Sequence, residues 1–150
     1  MANRTYRYFS GKPEYGFGYG LSYSQFRYSN PRLSASSLKA GDPVTVEVDV
    51  KNVSSRAGDE VAEVYLTQPR SALTPLRTLG GFERVHIEPG QMVHVAVRID
   101  PRTLGQVDDK GDRVIAPGTY GVSVGGAQPS EFPGAVTASF EVTGSETLPR

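Results

Sequence analysis

The sequence predicts an all-β protein, an antiparallel β-sandwich of about seven short strands preceded by an extended aromatic N-terminal lead. Three observations support this prediction. Apolar and polar residues alternate with period two in most segments, and turn signals built from Gly, Pro, Asn and Asp recur about every ten residues. No segment sustains the period of about 3.6 residues that marks an amphipathic helix. α/β barrels and doubly wound sheets are therefore excluded.

Residues 1–23 form the lead, in which aromatic rings and glycines are unusually dense. Seven of the residues from 4 to 23 are Tyr or Phe, and four glycines are interspersed among them. Glycine disfavours a helix, so we expect an extended segment that lies against another surface. The candidate docking or sugar-stacking residues are Tyr6, Tyr8, Phe9, Tyr15, Phe17, Tyr19 and Tyr23.

Residues 24–143 contain the alternating segments and are assigned to the sandwich, and residues 144–150 to a C-terminal tail. The predicted strands are centred on residues 26–33, 44–50, 61–66, 82–87, 93–99, 120–124 and 136–142. Asn30 and Pro31 interrupt the first strand, and residues 101–104 are assigned one helical turn. Tyr120 follows a Pro-Gly turn at a strand start, so we expect a buried ring whose hydroxyl caps the neighbouring loop.

Length and composition exclude several classes of protein. A chain of 150 residues corresponds to one domain, large enough to bury a core without crosslinks. It has no cysteine, and its 16 basic residues balance its 16 acidic ones without a block of either charge. Disulfides and thiolate metal sites are thus absent, and neither a nucleic-acid partner nor a membrane is expected. No apolar run approaches a membrane span, and no cofactor is expected.

The polar residues show no constellation typical of catalysis or metal binding. Glu47, Asp49 and Glu63 fall on outward strand positions, where a solvated sheet face is expected. His86 and His94 are the only histidines and lack a third ligand, so surface positions are favoured over a zinc site. We therefore predict no catalytic residue and no metal ligand.

Two further motifs have simpler structural interpretations. The sequence Asp-Asp-Lys-Gly-Asp at residues 108–112 resembles a cation loop but has Lys110 in a ligand position, so a hairpin turn with Gly111 at positive φ is favoured. The glycine spacing in residues 16–20 is not a nucleotide-binding fingerprint, because Leu21 stands where the third glycine belongs and no helix follows.

The order of motifs closely resembles the C-terminal fibronectin type III-like domain of family 3 glycoside hydrolases and the segment that leads into it. The lead matches nearly continuously from Arg4 to Tyr23. Further matches are VKNV at 50–53 with AGDEV at 57–61, LGGFERV at 79–85 with PG at 89–90, and the segment 114–125. The resemblance covers residues 4–143. It departs at Gln106 and Val107, where the family often has an aromatic residue.

The resemblance implies a non-catalytic accessory domain with a fibronectin type III or immunoglobulin-like fold. It would brace the catalytic domains of a β-glucosidase or β-xylosidase and help to hold polymeric substrate. The resemblance also implies that the parent is a retaining enzyme acting on β-linked glucose or xylose, and that both of its catalytic carboxyl groups come from preceding domains. If that enzyme is exported to the periplasm or secreted, its signal lies upstream of this sequence.

Two alternatives remain open from the residues alone. The aromatic rings suit a free-standing carbohydrate- or lignin-binding module, and the sandwich suits a protein–protein adhesion domain. We favour docking of the rings on catalytic domains, because large aromatic patches generally mark interfaces. In the isolated chain the same rings would favour self-association.

Overall fold

The computed structural model describes residues 4–70, 74–129 and 133–149, and these residues are almost entirely β-structure. The strands are β1 (Phe26–Leu33), β2 (Ser37–Lys39), β3 (Val44–Asn52), β4 (Gly58–Thr67), β5 (Thr78–Ile87), β6 (Met92–Ile99), β7 (Gln106–Val107), β8 (Arg113–Ile115), β9 (Gly118–Gly125), β10 (Val136–Thr143) and β11 (Glu146–Leu148). The helices are α1 (Thr5–Tyr8) and α2 (Pro101–Leu104), each of four residues. The described helices are too short to cross a membrane.

Two sheets form the sandwich. One has the strand order β1-β3-β6, and the other has the order β2-β10-β9-β4-β5. Their neighbouring strands are antiparallel except for β2, which runs parallel to β10. A small third sheet of order β11-β8-β7 lies beside them. The predicted sandwich of fibronectin type III or immunoglobulin-like type is therefore confirmed.

The core lies between the inward faces of the two sheets, and period-two alternation selects its residues. Along β3, the side chains of Val44, Val46, Val48 and Val50 are at most 1% exposed. The facing strands contribute Val64, Leu66, Tyr120, Val122 and Phe140, all at most 3% exposed. Close contact between the sheets also requires a glycine, because a Cβ at Gly81 would stand 2.7 Å from Val97 Cγ1.

Tyr120 occupies the corner position that the sequence predicts. Its ring is fully buried and stacks on Phe140 with centroids 5.4 Å apart. Its hydroxyl donates to the backbone carbonyl of Ala116 at 2.9 Å, with the Leu104 carbonyl at 3.5 Å. The hydroxyl thus fastens the turn before β9 to the core, as expected.

Asn52 organises a loop that the sequence shows only as polar. Its side chain is fully buried, and its amide donates to the carbonyls of Arg56 at 2.7 Å and Ile87 at 2.9 Å. Its carbonyl oxygen accepts from the backbone and hydroxyl of Ser54. One side chain therefore satisfies the backbone of the β3–β4 connection and ties it to β5.

The structure corrects several predicted boundaries. β1 runs through Asn30 and Pro31 as one strand, because a register shift between Ser29 and Arg32 accommodates the irregularity. Residues 146–148 of the predicted tail form β11, which pairs with β8. The number of described strands exceeds the predicted number of about seven because of four short strands, β2, β7, β8 and β11. Each has two or three residues, which is too short to show alternation.

Candidate functional site: the aromatic lead and the sheet beneath it

The lead is not extended throughout, because it begins with the helical turn α1. The turn precedes the first glycine, so the expectation of an entirely non-helical lead is wrong for these four residues. It is tied to the start of β5 through its backbone and side chains. The Leu76 amide donates to the Arg7 carbonyl at 2.7 Å, and the Leu79 amide donates to the Tyr6 hydroxyl at 3.2 Å.

The lead then crosses the outer face of the five-stranded sheet. Tyr6 stacks on Phe17 with ring centroids 4.6 Å apart and meets Tyr65 of β4 edge-on at 6.2 Å. Phe17 forms two hydrogen bonds with Gln128. The backbone N–H of Gln128 donates to the Phe17 carbonyl at 2.9 Å. The side-chain oxygen of Gln128 accepts from the Phe17 amide at 3.3 Å. The lead therefore folds back on its own sandwich.

The covered sheet face contains a buried carboxylate, which corrects the predicted solvated position of Glu63. Glu63 is 8% exposed, and its Oε2 accepts from the Tyr65 hydroxyl at 2.6 Å. Burial raises the pKa of Glu63 above its ordinary value. Gly18, at φ +81°, lies directly over it: a Cβ there would be 2.5 Å from Oε2. The lead's glycine thus permits backbone to cover the carboxylate.

A second carboxylate, Glu60, lies near the start of β4, on the strand face that turns toward the core. Its Oε1 accepts from the Tyr28 hydroxyl at 2.5 Å, and burial raises its pKa. Glu60 lines an open cavity of about 490 Å³ between the end of the lead and the β9 terminus, with Tyr19, Leu21 and Phe26 on its walls. Burial and the neighbouring Glu60 also raise the pKa of Tyr28, so the hydroxyl remains a donor.

The lead's rings divide into two groups. Tyr6, Tyr8 and Phe9 are half-buried, and Tyr6 and Phe9 line a cavity of about 320 Å³ with Tyr15 and Phe17. The later residues point to solvent. Their exposures are 69% for Tyr15, 47% for Phe17, 54% for Tyr19, 92% for Leu21 and 89% for Tyr23.

Leu21 is an exposed apolar residue of the lead that the sequence prediction does not include, because an aliphatic side chain carries no stacking signal. Leu21 lines the cavity of about 490 Å³ together with Tyr19 and Phe26. Nearby in the lead, Tyr15 and Tyr19 lie with ring centroids 5.0 Å apart, and the Arg56 guanidinium lies 5.3 Å from the Tyr23 centroid. All seven predicted site residues thus belong to one segment, and the exposed ones form its second half. Such an accumulation of apolar side chains typically marks an interface.

The two histidines lie on the outer faces of opposite sheets, each beside an aspartate. His86 Nδ1 lies 2.6 Å from Asp59 Oδ1, and Arg84 Nη2 lies 2.6 Å from Asp59 Oδ2. The hydrogen bond to Asp59 raises the pKa of His86, and His86 and Arg84 lower the pKa of Asp59. Among the described residues, no group of three His, Asp or Glu side chains is placed to hold a metal ion.

Asp49 is less solvated than predicted. Its side chain is 12% exposed, because Asn30 donates to Oδ2 at 2.8 Å and His94 Nδ1 lies 3.0 Å from Oδ1. These hydrogen bonds lower the pKa of Asp49, the one from Asn30 contributing most. By contrast, the turn at residues 108–112 is as predicted: Gly111 has φ +83° and its amide donates to the Asp108 carbonyl at 3.0 Å.

Comparison with known proteins connects this architecture to a group of enzymes. Residues 60–128 match the family model described as a fibronectin type III-like domain. A β-xylosidase of Formosa agariphila is 32% identical over 127 residues, which are 84% of this chain and 18% of the relative. A β-glucosidase of Bacteroides ovatus is 34% identical over 140 residues, 90% of this chain and 19% of the relative.

Solved structures show the same relation. The chain superposes on a glucose-bound β-glucosidase 3B of Thermotoga neapolitana with a TM-score of 0.83 and 29% identity, covering 97% of this chain. It also superposes on a glucose-bound β-glucosidase of Listeria innocua with a TM-score of 0.79 and 31% identity. In each case the chain spans 19% of the solved chain. The chain thus corresponds to less than a fifth of these enzymes.

Proposed function

We propose that this chain is the fibronectin type III-like accessory domain of a β-glucosidase or β-xylosidase of glycoside hydrolase family 3, and that it braces the catalytic domains of that enzyme through its aromatic lead. The match of residues 60–128 to the domain model and the similarity of most of the chain to such enzymes support this proposal. The sandwich is the rigid body of this brace. The lead is the part that contacts the rest of the enzyme.

The observation that carries this proposal is the exposure of the second half of the lead. Leu21 and Tyr23 are about nine-tenths exposed although each is a large apolar side chain. Burying one such side chain stabilises a protein by roughly 1.5–3 kcal/mol. The matched region is 18% of one relative and 19% of the other, so about four-fifths of each relative lies outside it and could supply a surface for these side chains.

The carboxylates support a non-catalytic role. Glycoside hydrolysis usually requires two carboxyl groups that face each other across a sugar ring. Glu60 and Glu63 are three residues apart on one strand, so their side chains point to opposite faces of the sheet. Each is engaged by a tyrosine hydroxyl. The parent's hydrolysis of β-linked glucose or xylose, by the retaining route, is accordingly assigned to its other domains.

Docking can be tested in trans. The catalytic portion of the parent enzyme, expressed without this domain, is titrated with the 150-residue chain by calorimetry, and activity on an aryl-β-glucoside and an aryl-β-xyloside is followed. We expect saturable binding and a higher thermal stability of the catalytic portion. The double variant Leu21→Ser, Tyr23→Ser should bind at least about tenfold more weakly.

The matched control is Met92→Ser, which removes a 55% exposed apolar side chain from the opposite sheet. Equal binding by the double variant and the wild type would reject docking through the lead. Hydrolysis by the chain alone would reject the non-catalytic role, if it copurified with the protein and disappeared in Glu60→Gln or Glu63→Gln.

Carbohydrate binding is the second candidate, favoured by the adjacent exposed rings of Tyr15 and Tyr19. Aromatic faces can stack on sugar rings, so the same surface suits a polysaccharide. Pull-down on insoluble cellulose and xylan separates this function from docking. Retention that disappears in Tyr15→Ser, Tyr19→Ser but persists in Leu21→Ser would favour the carbohydrate-binding function.

A further inference from the structure

A cavity of about 420 Å³ opens where α1, β5, α2 and β8 approach one another. It is lined by Arg7, Thr78, Asp100, Arg102, Thr103, Gly105 and Arg113. Three guanidinium groups thus share one cavity with one carboxylate and two hydroxyls, and no aromatic ring lines it. This lining differs in kind from the apolar surface of the lead.

The three arginines are not neutralised by ion pairs among the described residues. Arg102 donates to the Pro149 carbonyl at 2.9 Å, and Arg113 donates to the carbonyls of Arg102 and Gly105 at 3.3 and 3.2 Å. Arg7 Nη2 donates to the Thr78 hydroxyl at 3.4 Å. All these acceptors are neutral, and Asp100 is the one carboxylate among the described residues that line the cavity, so the three guanidinium groups carry more positive charge than this carboxylate offsets.

Within the described part of the chain, Arg7 is the arginine of the cavity that lacks a hydrogen-bond acceptor for one of its N–H groups. Its Nε is buried and has no hydrogen-bond partner within the described chain. A buried donor without an acceptor costs roughly 1–3 kcal/mol, more when it is charged. A guanidinium has five N–H donors in a planar fork that matches a carboxylate or phosphate. Among the described residues, Arg7 Nε is thus a charged donor beside this cavity that has no acceptor.

Asp100 narrows the choice of anion. Its Oδ1 accepts from the Arg102 amide at 2.8 Å, which fixes the carboxylate at the start of α2. Its negative charge opposes a dianion more strongly than a monoanion. An ionised carboxylate is also an acceptor only, and the hydroxyls of Thr78 and Thr103 can donate or accept. The lining therefore suits one negative charge together with several hydroxyl groups.

We propose that this cavity is a binding site for a hydroxylated monocarboxylate of about the size of one sugar ring, a hexuronate or similar sugar acid. The carboxylate lies among the guanidiniums of Arg7, Arg102 and Arg113, and a ring hydroxyl donates to Asp100. The site is independent of the exposed lead residues, so failure of the docking proposal leaves it unaffected.

The test is a titration of the 150-residue chain with sodium glucuronate, followed by calorimetry and by the Nε–H resonances of the arginines. Glucose, acetate and inorganic phosphate are the comparison probes. We expect saturable binding of glucuronate, weaker binding of acetate, which lacks the hydroxyls, and none of glucose, which lacks the charge. The Arg7 Nε–H resonance should move with glucuronate.

Arg102→Gln is the principal variant, because Arg102 is exposed and its loss should leave the fold intact. It should weaken glucuronate binding about tenfold, since one charged contact is removed. Arg27→Gln makes the same change of charge on exposed β1 and should bind as the wild type. Arg7→Gln is a second variant with the same expected loss.

Three results would overturn the proposal. If Arg27→Gln and Arg102→Gln weaken glucuronate binding equally, glucuronate is attracted by the net charge of the protein and not by this cavity. Tighter binding of phosphate than of glucuronate would contradict the role of Asp100. Absence of any saturable change in the arginine resonances would mean that the cavity takes no such ligand.

Discussion

The lead and the sandwich bury their apolar side chains in opposite ways. The sandwich buries the inward valines of β3, with Val44 and Val50 at 0% exposure, and β3 pairs with β6 along its length without a register shift. The lead holds its first ring by contacts with Phe17 and Tyr65 yet leaves Leu21 and Tyr23 almost bare. The sandwich also exposes Phe82 at 62% and Met92 at 55%, on different sheets, whereas the lead concentrates five exposed large apolar side chains between positions 15 and 23. This difference supports the proposal that the sandwich folds independently and that the lead contacts a partner.

The largest expected effect comes from a charge in the sandwich core. Val48→Asp would place an unpaired carboxylate at a position that is 1% exposed. The cost of several kcal/mol is a large share of a stability of about 5–15 kcal/mol, so the chain should not fold. Circular dichroism and thermal melting measure this. Lys51→Asp, three residues along the same strand but exposed, is the control and should fold.

A hydroxyl deletion compares a ring of the sandwich with a ring of the lead. Tyr120→Phe leaves the Ala116 carbonyl without its 2.9 Å donor and should cost about 1–3 kcal/mol. Tyr23→Phe removes a hydroxyl from a side chain that is 89% exposed and should be nearly neutral. Urea denaturation of both variants gives the free energies. Similar losses from both would contradict the distinction between the regions.

Gly18 and Gly20 allow a comparison within the lead. Gly18→Ala adds a Cβ at φ +81° and forces it against Glu63, so the lead should detach locally at a cost of about 1–2 kcal/mol. Gly20→Ala meets no atom within 4 Å and should change little. Hydrogen exchange of the Gln128 amide, which donates to Phe17, reports detachment. Equal protection in both variants would mean that Gly18 does not hold the lead.

The smallest effect concerns the carboxylate beneath the lead. Because burial raises the pKa of Glu63, its contribution to stability is fully present below the ordinary Glu pKa and is lost as pH rises through the folded value. Glu63→Gln should remove this decline and gain less than about 1 kcal/mol at neutral pH. Glu83→Gln, exposed on β5, should leave the pH profile unchanged. Identical profiles for the wild type and Glu63→Gln would disprove the raised pKa.

The fold was predictable because its strands obey period two where one face is buried. Val46 and Val48 alternate with polar residues, and the Pro-Gly turn before Tyr120 marks its corner. The short strands β2, β7 and β11 were not predictable, since two or three residues show no alternation. Their positions depend on partners distant in sequence, as in the parallel pairing of β2 with β10.

The aromatic composition of the lead was evident from the sequence, but the contacts of the lead were not. The density of rings identified the lead, but nothing in residues 1–23 shows that Tyr6 meets Tyr65 or that Gly18 covers Glu63. Alternation alone assigned Glu63 to a solvated face. The pattern tells which face of a strand a residue is on, but not whether another segment covers that face. The arginine cavity was not predictable either, because Arg7 and Arg102 are far apart in sequence and come together only in the fold.

The account rests on the independence of the sandwich from its lead, and deletion of residues 1–22 tests it most directly. Thermal melting and light scattering are compared between the two chains. The shortened chain should melt cooperatively at a lower temperature, because Tyr65 loses its cover, and should be more monomeric than the full chain. A shortened chain that fails to fold would make the lead part of the core. If the shortened chain self-associates as much as the full chain or more, the lead is not the surface that binds a partner.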